Sequence, residues 1–391
     1  MMRLLIQCFS ASLLWLCTCG AYAAEINVKA KNLVNLGPNI PAEMTTIRVT
    51  GLFRQGDADA MRRTLSLLKA KSEASPNSPP VTVELSSLGG DMIEGLRMGY
   101  LFRDFDVATV VRKHDICLSA CALAFLGGTS AHGPSERSLD QSLEIGGRLG
   151  FHSFYLNPDS AQSPTANEPA QSRRQGFAEA RAGAMSVMRY AADLGIDPKF
   201  VASMLGKPQE EFSYVNTAEE FITLNVCPMS LGRPSISPAE QALNICNHST
   251  GWIDPADPSQ VRAMTPQQAK RYMLENVQQN MLSLKVKGAL SNQLGSYPVM
   301  RDEQAIDNLY ADLRAAGVRL PEIVGPVFEV SGYRSGSGQM QCFVSLSLDD
   351  PNRYEVAIRR PTKWAHPNWS APKDCRGLFR YDKEAVLNPR S

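Results

Sequence analysis

The sequence predicts an α/β fold with a mainly parallel sheet, followed by a C-terminal α+β lobe. Three observations lead to this prediction. Strand patterns alternate with helical patterns between residues 45 and 230, and turns rich in Gly, Pro and Ser separate them. Residues 235–391 instead combine several helical patterns with one pair of alternating strands. Because alternating strands and helices favour right-handed crossover connections, the strands of the first region should lie parallel.

Two strand–helix units open the first region. Residues 46–50 alternate apolar and polar side chains, as a half-buried strand does, and residues 57–71 repeat apolar side chains at helical spacing. The unit then repeats, with a predicted strand over 81–85 and a predicted helix over 92–103. A turn rich in Pro and Ser over 75–80 separates the two units.

Two further strands are predicted over 107–111 and 149–154. The connection over 133–148 is polar, so we expect a loop there. Residues 157–175 are rich in Pro, Ser, Gln and Asn, and we expect them to form a second, inserted loop. Helical spacing returns over 176–194.

The C-terminal region over 235–391 contains no motif that assigns it a role. Residues 341–348 and 354–358 alternate as the two strands of a hairpin do. Apolar spacing predicts helices over 238–245, 265–284 and 302–315. We therefore expect a separate α+β lobe at this end of the chain.

The N-terminus predicts export. Arg3 precedes a mostly apolar run over 4–16, and small residues follow up to Ala23. This is the layout of a secretory signal peptide, which we place at residues 1–23. No later stretch contains the roughly 20 apolar residues that a spanning helix needs. We therefore expect a periplasmic or secreted chain without a stable membrane span after signal removal.

Six cysteines remain once the predicted signal peptide is removed, and an even number in an exported chain favours disulfides. They are Cys117, Cys121, Cys227, Cys246, Cys342 and Cys375. Proximity along the chain predicts the pairs 117–121, 227–246 and 342–375, although the first two cysteines also fit a pair of packed thiols. The other four are dispersed and no histidine has zinc-finger spacing, so we expect no metal and no other cofactor.

The net charge argues against one class of partner. The chain carries 40 Lys and Arg residues against 39 Asp and Glu residues. It therefore has no basic excess with which to hold nucleic acid or an anionic membrane surface. We expect no nucleic-acid partner.

Two junctions carry residues with catalytic chemistry. Gly89 and Gly90 follow a predicted strand, where a flexible backbone can aim N–H groups into a cleft. Ser119 lies after the next strand, at a predicted helix start that favours developing negative charge. His152 lies on the fourth strand, where a neutral imidazole can accept a serine proton. Taken singly, these residues also fit a turn, a helix cap and a structural histidine.

The order of these features resembles the proteolytic subunit of the Clp protease and its relatives in the Clp/crotonase superfamily. The matching segments are 87–90, 117–128 and 150–152, and the Cys-x-Ser-x-Cys spacing is closer still to exported Clp-like proteins. The resemblance covers about residues 45–226 and implies a ββα-repeat core. It also implies a peptide or protein substrate and association of identical subunits into a homo-oligomer.

The same resemblance implies roles for single residues. Ser119 would be the nucleophile and His152 the general base. The backbone N–H groups of Gly90 and Ala120 would bind the oxyanion of the reacting carbonyl. Together these residues would form the site of a serine peptidase domain over 45–230.

The third catalytic residue departs from the family pattern. The family places an Asp shortly before a Phe-Leu-Ser/Thr segment, and the closest alignment puts Phe212 at that position. Glu211 is one residue away and is our candidate acid. Glu210, Asp193 and Asp197 are alternatives, and a Ser–His dyad without an acid stays open.

Two classes of function follow from the sequence. The first is an exported serine peptidase that hydrolyses peptide bonds through an acyl-enzyme at Ser119. The second is a catalytically inactive Clp-like module that binds peptides or protein partners, which the missing acid favours. Acyl-coenzyme A chemistry of the crotonase type is disfavoured, because an exported chain would not meet coenzyme A.

Overall fold

The computed structural model describes residues 23–32, 43–73, 81–131, 137–153, 169–208, 210–279, 288–295, 302–335, 338–360, 363–365 and 375–389. The predicted signal peptide, apart from residue 23, lies outside these ranges and stays a prediction. The part of the predicted loop over 157–175 that precedes residue 169 also lies outside them.

The first region alternates strands and helices along the chain. Its strands are β1 (Glu25–Asn32), β2 (Glu43–Thr50), β3 (Val81–Ser86), β4 (Ala108–Val111), β5 (Ile116–Leu118), β6 (Thr129–Ala131), β7 (Arg137–Leu139), β8 (Gln141–Glu144), β9 (Arg148–Phe151), β10 (Ser213–Tyr214) and β11 (Cys227–Met229). Its helices are α1 (Asp57–Glu73), α2 (Met92–Asp104), α3 (Ala120–Phe125), α4 (Pro169–Leu194), α5 (Pro198–Gly206) and α6 (Ala218–Thr223).

A six-stranded main sheet forms the centre of this region. Strands β2, β3, β4, β8 and β11 lie parallel in that order, and β1 adds an antiparallel edge next to β2. Helix α1 connects β2 to β3 and helix α2 connects β3 to β4. Ile47, Val49, Val83 and Leu85 are fully buried at alternate positions of β2 and β3. The predicted α/β fold with a mainly parallel sheet is confirmed.

The predicted loop over 133–148 is wrong at its centre. Strand β8 lies inside the main sheet between β4 and β11, and β7 pairs with β6 in a small hairpin. The strand was hard to predict because it is short and begins with a glutamine. Gln141 is buried, and its side-chain amide donates a hydrogen bond to the Leu126 carbonyl at 2.6 Å. A polar side chain with one hydrogen bond thus occupies a position where the pattern required an apolar one.

A second, three-stranded sheet has the order β10-β9-β5. Strand β5 is parallel to β9, and β10 is antiparallel to β9. The turn that follows β3 runs along β5, because Ser87 N–H donates to the Ile116 carbonyl at 2.7 Å and Leu118 N–H donates to the Ser87 carbonyl at 3.0 Å. The turn, β5 and β9 are therefore neighbours.

Helices cover this second sheet at close range. Helix α2 touches the start of α3 backbone to backbone, since a Cβ at Gly95 would overlap the Ala120 carbonyl. From α4, the buried Tyr190 hydroxyl donates to the Leu123 carbonyl at 2.7 Å. Helix α4 begins at Pro169, so the predicted loop is wrong from that residue onward; proline is favoured in a first helical turn. Within the described ranges, neither α4 nor any other helix has the length and apolar character needed to cross a membrane.

The C-terminal region forms an α+β lobe. Its helices are α7 (Pro238–Ser249), α8 (Pro266–Gln279), α9 (Ala289–Gly295) and α10 (Glu303–Ala315). Its strands are β12 (Val261–Met264), β13 (Val327–Ser335), β14 (Gly338–Leu346), β15 (Tyr354–Arg360) and β16 (Lys363–Ala365), with 3-10 turns at Pro258–Gln260 and Arg376–Arg380.

These five strands form one antiparallel sheet in chain order. The predicted hairpin over 341–358 is present as β14 and β15, with Phe343 opposite Ala357. Strand β13 was not predicted, and a register shift between Val330 and Tyr333 interrupts its alternation. Helix α7 packs on one face of the sheet, and α8, α9 and α10 cover the other.

All six predicted disulfide cysteines lie in pairs at disulfide distance. The pairs are Cys117–Cys121, Cys227–Cys375 and Cys246–Cys342, with Cα–Cα distances of 5.2, 5.6 and 5.9 Å. The first pair matches the prediction, whereas the predicted pairs 227–246 and 342–375 are wrong. Helix α7 packs directly on β14, and this contact sets a different partner for each cysteine than proximity along the chain suggests.

The last described residues return to the first region. We call residues 375–389 the C-terminal strap. Leu378 and Leu387 are buried in the hydrophobic core that the main sheet and its helices share. The strap is therefore part of the packing of the first region, although it follows the whole C-terminal lobe in sequence.

Candidate active site

Ser119 lies in a sharp turn between β5 and α3. Its backbone has a φ of 55° and a ψ of −124°, in the left-handed region that non-glycine residues rarely adopt. A strained serine between a strand and a helix has the geometry of a nucleophile elbow, which exposes the hydroxyl at the tip of the turn. The residue is half-buried.

The Ser119 hydroxyl does not act as a helix cap. Ser119 is the N-cap residue of α3, yet its side chain makes no capping hydrogen bond. Its backbone fixes the turn instead: Ser119 N–H donates to the Gly150 carbonyl at 3.0 Å, and Leu123 N–H donates to the Ser119 carbonyl at 3.1 Å. The helix-cap interpretation of this serine is therefore excluded.

A cysteine pair brackets the turn. Cys117 lies within β5 and Cys121 within the first turn of α3, and both are fully buried. At a Cα–Cα separation of 5.2 Å, their pairing joins the strand to the helix across Ser119. The strand and the helix are thus tied together on both sides of the strained residue.

The glycine turn after β3 touches the elbow directly. A Cβ at Gly89 would lie 2.7 Å from the Ser119 Cβ and 2.8 Å from the Leu118 carbonyl oxygen, and the φ of Gly89 is +102°. Ser87 holds the turn, because Gly89 N–H donates to the Ser87 hydroxyl at 3.1 Å. Only glycine fits next to Ser119 at this distance.

The predicted oxyanion site consists of the backbone N–H groups of Gly90, in the glycine turn, and Ala120, at the start of α3. Phe53 and Gly90 form an isolated parallel β-bridge whose hydrogen bonds go to the residues on either side of Gly90. Phe53 N–H donates to the Gly89 carbonyl at 2.7 Å, and Asp91 N–H donates to the Phe53 carbonyl at 2.9 Å. The Gly90 N–H takes no part in either bond. Ala120 is the first residue of α3, and the first N–H groups of a helix have no partner within it.

His152 follows β9, the strand that pairs with β5, and Ser119 follows β5. In the parallel pair of β5 and β9, Leu118 lies opposite Gly150. Ser119 is the first residue after β5, and His152 is the first residue after β9. The two predicted catalytic residues therefore leave adjacent parallel strands at the same edge of the sheet.

An aromatic ring faces His152. Ser213 pairs with Phe151 between β10 and β9, so the preceding residue, Phe212, lies across from His152. The two rings have centroids 4.5 Å apart and planes inclined by 36°. The ring of Tyr214 continues the row at 5.7 Å from Phe212. The position where the family alignment expects an acid thus holds a phenyl ring in contact with the imidazole.

The acid candidates next to Phe212 face solvent. Glu211 has a side chain that is 57% exposed, and it forms an ion pair with Lys207 Nζ at 3.3 Å. Glu210 is exposed as well. Both glutamates follow α5 and are exposed, whereas the Phe212 ring contacts His152.

The two more distant candidates are engaged elsewhere. Asp193 accepts a hydrogen bond from the Tyr100 hydroxyl at 2.7 Å, and burial together with this bond raises the pKa of Tyr100 to about 12. Asp197 caps α5 by accepting from Lys199 N–H at 2.8 Å. Within the described ranges, no three His, Cys, Asp or Glu side chains cluster as metal ligands would.

One buried residue that bonds the start of β9 had no signal in the sequence. Asn388, in the C-terminal strap, donates to the Gly147 carbonyl at 2.9 Å and accepts from Gly146 N–H at 2.8 Å. These glycines lead into β9, which ends next to His152. An isolated asparagine near the end of a chain carries no periodicity or motif, so only the tertiary structure reveals this contact.

Comparisons with known proteins add little to this geometry. No family model matches the chain, and no curated protein matches it. Among solved structures, the chain is similar to a mutant of ClpP1 from Listeria monocytogenes, with 15% identity and a TM-score of 0.31 over 43% of this chain and 81% of that chain. This similarity is weak, and any function has to be argued from the site itself.

Proposed function

We propose that this protein is an exported serine peptidase that hydrolyses peptide bonds through an acyl-enzyme at Ser119. The observation that carries the proposal is the strained turn at Ser119, whose hydroxyl caps no helix and whose backbone is bonded to the strand that ends next to His152. Backbone strain at a serine between a strand and a helix is a common device for presenting a nucleophile.

The proposed reaction has two halves. His152 accepts the Ser119 hydroxyl proton while the oxygen attacks the substrate carbonyl, and the N–H groups of Gly90 and Ala120 bind the oxyanion. His152 then protonates the leaving amine, which departs and leaves an ester on Ser119. In the second half, His152 activates a water molecule that hydrolyses the ester and restores the serine.

We propose a Ser–His dyad in place of a triad. In a triad the acid orients the imidazole and stabilises its protonated form. Here Phe212 packs against the His152 ring, while the nearest acid in sequence, Glu211, points to solvent and pairs with Lys207. The phenyl ring can orient the imidazole by contact but supplies no negative charge. We therefore expect slower turnover than a triad enzyme achieves.

The setting of the site is also proposed. The mainly parallel core supports a Clp-like serine peptidase domain over 45–230, and three cysteine pairs at disulfide distance favour an oxidising compartment outside the cytoplasm. Exposed Phe177, Met185 and Met188 lie on α4, and they are consistent with association of identical subunits.

A serine-reactive fluorophosphonate probe tests the proposal. The mature protein should be labelled at Ser119, and both Ser119→Ala and His152→Ala should abolish the labelling. Ser186→Ala is a matched control, because Ser186 is a half-buried serine on α4 whose hydroxyl donates to the Ala182 carbonyl, and it should not react. Absence of labelling in the wild-type protein, with folding confirmed by circular dichroism, would contradict the peptidase.

The second candidate function is a catalytically inactive module that binds peptides or protein partners. The phenyl ring in the acid position favours it. The two candidates separate in one comparison: an inactive module would bind an unfolded model peptide equally well in wild type and in Ser119→Ala, and neither form would react with the probe.

A further inference from the structure

The C-terminal strap is fastened to the first region at both of its ends. At its start, Cys375 pairs with Cys227 at the beginning of β11, with a Cα–Cα distance of 5.6 Å. Near its end, Leu387 is buried in the core of the first region. The two ends of the strap are therefore fastened to the candidate peptidase domain, whereas its middle contacts the lobe, where the Asn244 amide donates to the Arg380 carbonyl at 3.0 Å.

Backbone hydrogen bonds guide the strap along the segment after β10. Ala218 N–H donates to the Ala385 carbonyl at 3.0 Å. Leu387 N–H and Asn388 N–H both donate to the Asn216 carbonyl, at 2.8 and 3.0 Å. These bonds position the Asn388 side chain next to the start of β9 and the end of β10.

The Asn388 side chain is almost fully buried, with 4% exposure, and all of its bonds go to backbone groups of the first region. Its carbonyl accepts from Gly146 N–H at 2.8 Å, and its amide donates to the Gly147 carbonyl at 2.9 Å and to the Val215 carbonyl at 3.5 Å. One side chain thus satisfies polar groups on two separate segments, as a buried amide must.

These two segments are the strand pair that carries the candidate base. Gly147 directly precedes β9 and Val215 directly follows β10, and Val215 N–H donates to the Leu149 carbonyl at 3.0 Å. His152 and Phe212 face each other at the opposite end of the same pair. The distance along β9 from Gly147 to His152 is roughly 16 Å at the usual rise of a strand.

We propose that Asn388 is a positioning residue for His152. By bonding both strands at one end, it fixes their register and angle, and so fixes how the imidazole meets Phe212 and Ser119 at the other end. The role of His152 as a base rests on the proposed function, but its placement against Phe212 does not. A displacement of about 1 Å in a catalytic group can lower a rate by about 100-fold.

A purely stabilising role for the strap is the competing explanation, and a neighbouring residue provides the control. Leu387 is 7% exposed and contributes packing but no side-chain hydrogen bond to β9 or β10. Leu387→Ala should therefore weaken the strap without releasing the strand pair. Asn388→Ala removes all three side-chain bonds, and Asn388→Asp keeps the acceptor for Gly146 N–H while losing both donated bonds.

The experiment uses the full mature chain with its cysteine pairs intact. Nuclear Overhauser contacts between the His152 and Phe212 ring protons are measured in wild type and in the three variants, together with the rate of fluorophosphonate labelling. We expect the ring contact to be lost in both Asn388 variants and retained in Leu387→Ala. The labelling rate should fall by at least about tenfold in the Asn388 variants and by less than about twofold in Leu387→Ala.

The two readouts keep this proposal separate from the peptidase proposal. If the wild-type serine does not react but the ring contact still depends on Asn388, the peptidase is wrong and the positioning role stands. Persistence of the ring contact in either Asn388 variant overturns the positioning role. Equal loss of the contact in Leu387→Ala overturns it as well, because the strap would then act through stability alone.

Discussion

The two halves of the candidate site are built in different ways. The half with Ser119, the proposed nucleophile, is local, and we call it the nucleophile half: residues 87–90 and 116–125 hold Ser119 through neighbouring backbone bonds and a cysteine pair four residues apart. The half with His152, the proposed base, is long-range, because Gly146 N–H, just before β9, donates to Asn388, which lies 242 residues further along the chain. Local construction makes the first half robust, whereas the second half depends on the whole chain being folded.

The halves also differ in chemical completeness. The turn at Ser119 has a strained serine whose side chain makes no capping hydrogen bond. His152, the proposed base, has a phenyl ring beside it at the position where the family resemblance implies an acid. We therefore expect that substitutions that displace Ser119 abolish its reaction with the probe, whereas an acid placed beside His152 increases the rate of that reaction.

The largest effect should come from Gly89→Ala in the nucleophile half. The new methyl group would overlap the Ser119 Cβ and the Leu118 carbonyl at 2.7 and 2.8 Å, at a φ of +102° that alanine disfavours. We expect the labelling rate of Ser119 to fall by at least about 100-fold, because the serine must move. Stopped-time labelling with the fluorophosphonate probe measures it.

Gly176→Ala is the matched control for this change. Gly176 lies in α4 with nothing within 4 Å of the added Cβ, so the variant should label like wild type. Unchanged labelling in Gly89→Ala would mean that the elbow tolerates displacement and that its tight construction is not needed for reactivity.

The next prediction concerns the free energy of unfolding at low pH, which depends on a contact between the C-terminal lobe and the strap. His248 of α7 donates through Nε2 to the Tyr381 carbonyl in the strap, since its Nδ1 accepts from Trp252, both at 2.9 Å. Burial lowers the pKa of His248 to about 4; the Tyr381 bond and Asp382 oppose the shift and Lys383 adds to it. The unfolded chain takes up this proton more readily below pH 6.5. The free energy of unfolding should therefore fall by about 3 kcal/mol between pH 6.5 and 4.

Urea denaturation at several pH values measures this dependence. His248→Gln should remove that part of the slope, whereas His114→Asn, at an exposed histidine, should keep it. If His248→Gln retains the full slope, the strap is not held by a neutral imidazole and its acid sensitivity comes from other groups.

A smaller effect, in the opposite direction, should come from Phe212→Asp. A carboxylate in place of the phenyl ring would stand across from His152 and could accept its other ring proton, as the acid of a triad does. We expect labelling about tenfold faster than in Phe212→Asn, which has the same shape without the charge. Equal rates in the two variants would show that position 212 cannot serve as the acid site.

Glu211→Gln completes this test. Its carboxylate is largely exposed and paired with Lys207, so the variant should label at the wild-type rate. A loss of more than about tenfold would instead assign the acid role to Glu211 and contradict the dyad.

The same division explains what the sequence could predict. The turn at 87–90 and the segment around Ser119 are each formed by residues that are consecutive in sequence. The ends of the predicted strands and the positions of the glycines were therefore enough to locate them. The parallel sheet followed from the alternation of strands and helices. Strand β8 was missed because its buried Gln141 is polar, and the pairs Cys227–Cys375 and Cys246–Cys342 were missed because they depend on how the lobe folds back.

Positions that act through tertiary contact left no trace in the sequence. Nothing in the sequence around Asn388 indicates that its side chain hydrogen-bonds the segments next to β9 and β10. The alignment did place Phe212 at the acid position, but it could not reveal that the ring lies against His152. Hydrophobic periodicity and motif spacing predict local structure. They do not predict which residues distant in sequence come into contact in the folded chain.

The smallest expected effect tests how much of the elbow is covalent. Replacing both Cys117 and Cys121 with alanine opens a loop of only a few residues, for which the chain-entropy contribution is about 2 kcal/mol. The hydrogen bonds of Ser119 and Leu123 remain, so the turn should persist but move more freely. We expect a labelling rate lower by a few-fold and a small decrease in melting temperature, so that reactivity suffers more than stability.

Thiol counting by mass spectrometry on unreduced protein provides the prior check. Two free thiols on the 117–121 peptide of the wild-type protein would refute the covalent clamp, and the nucleophile half would then be held by packing and backbone hydrogen bonds alone.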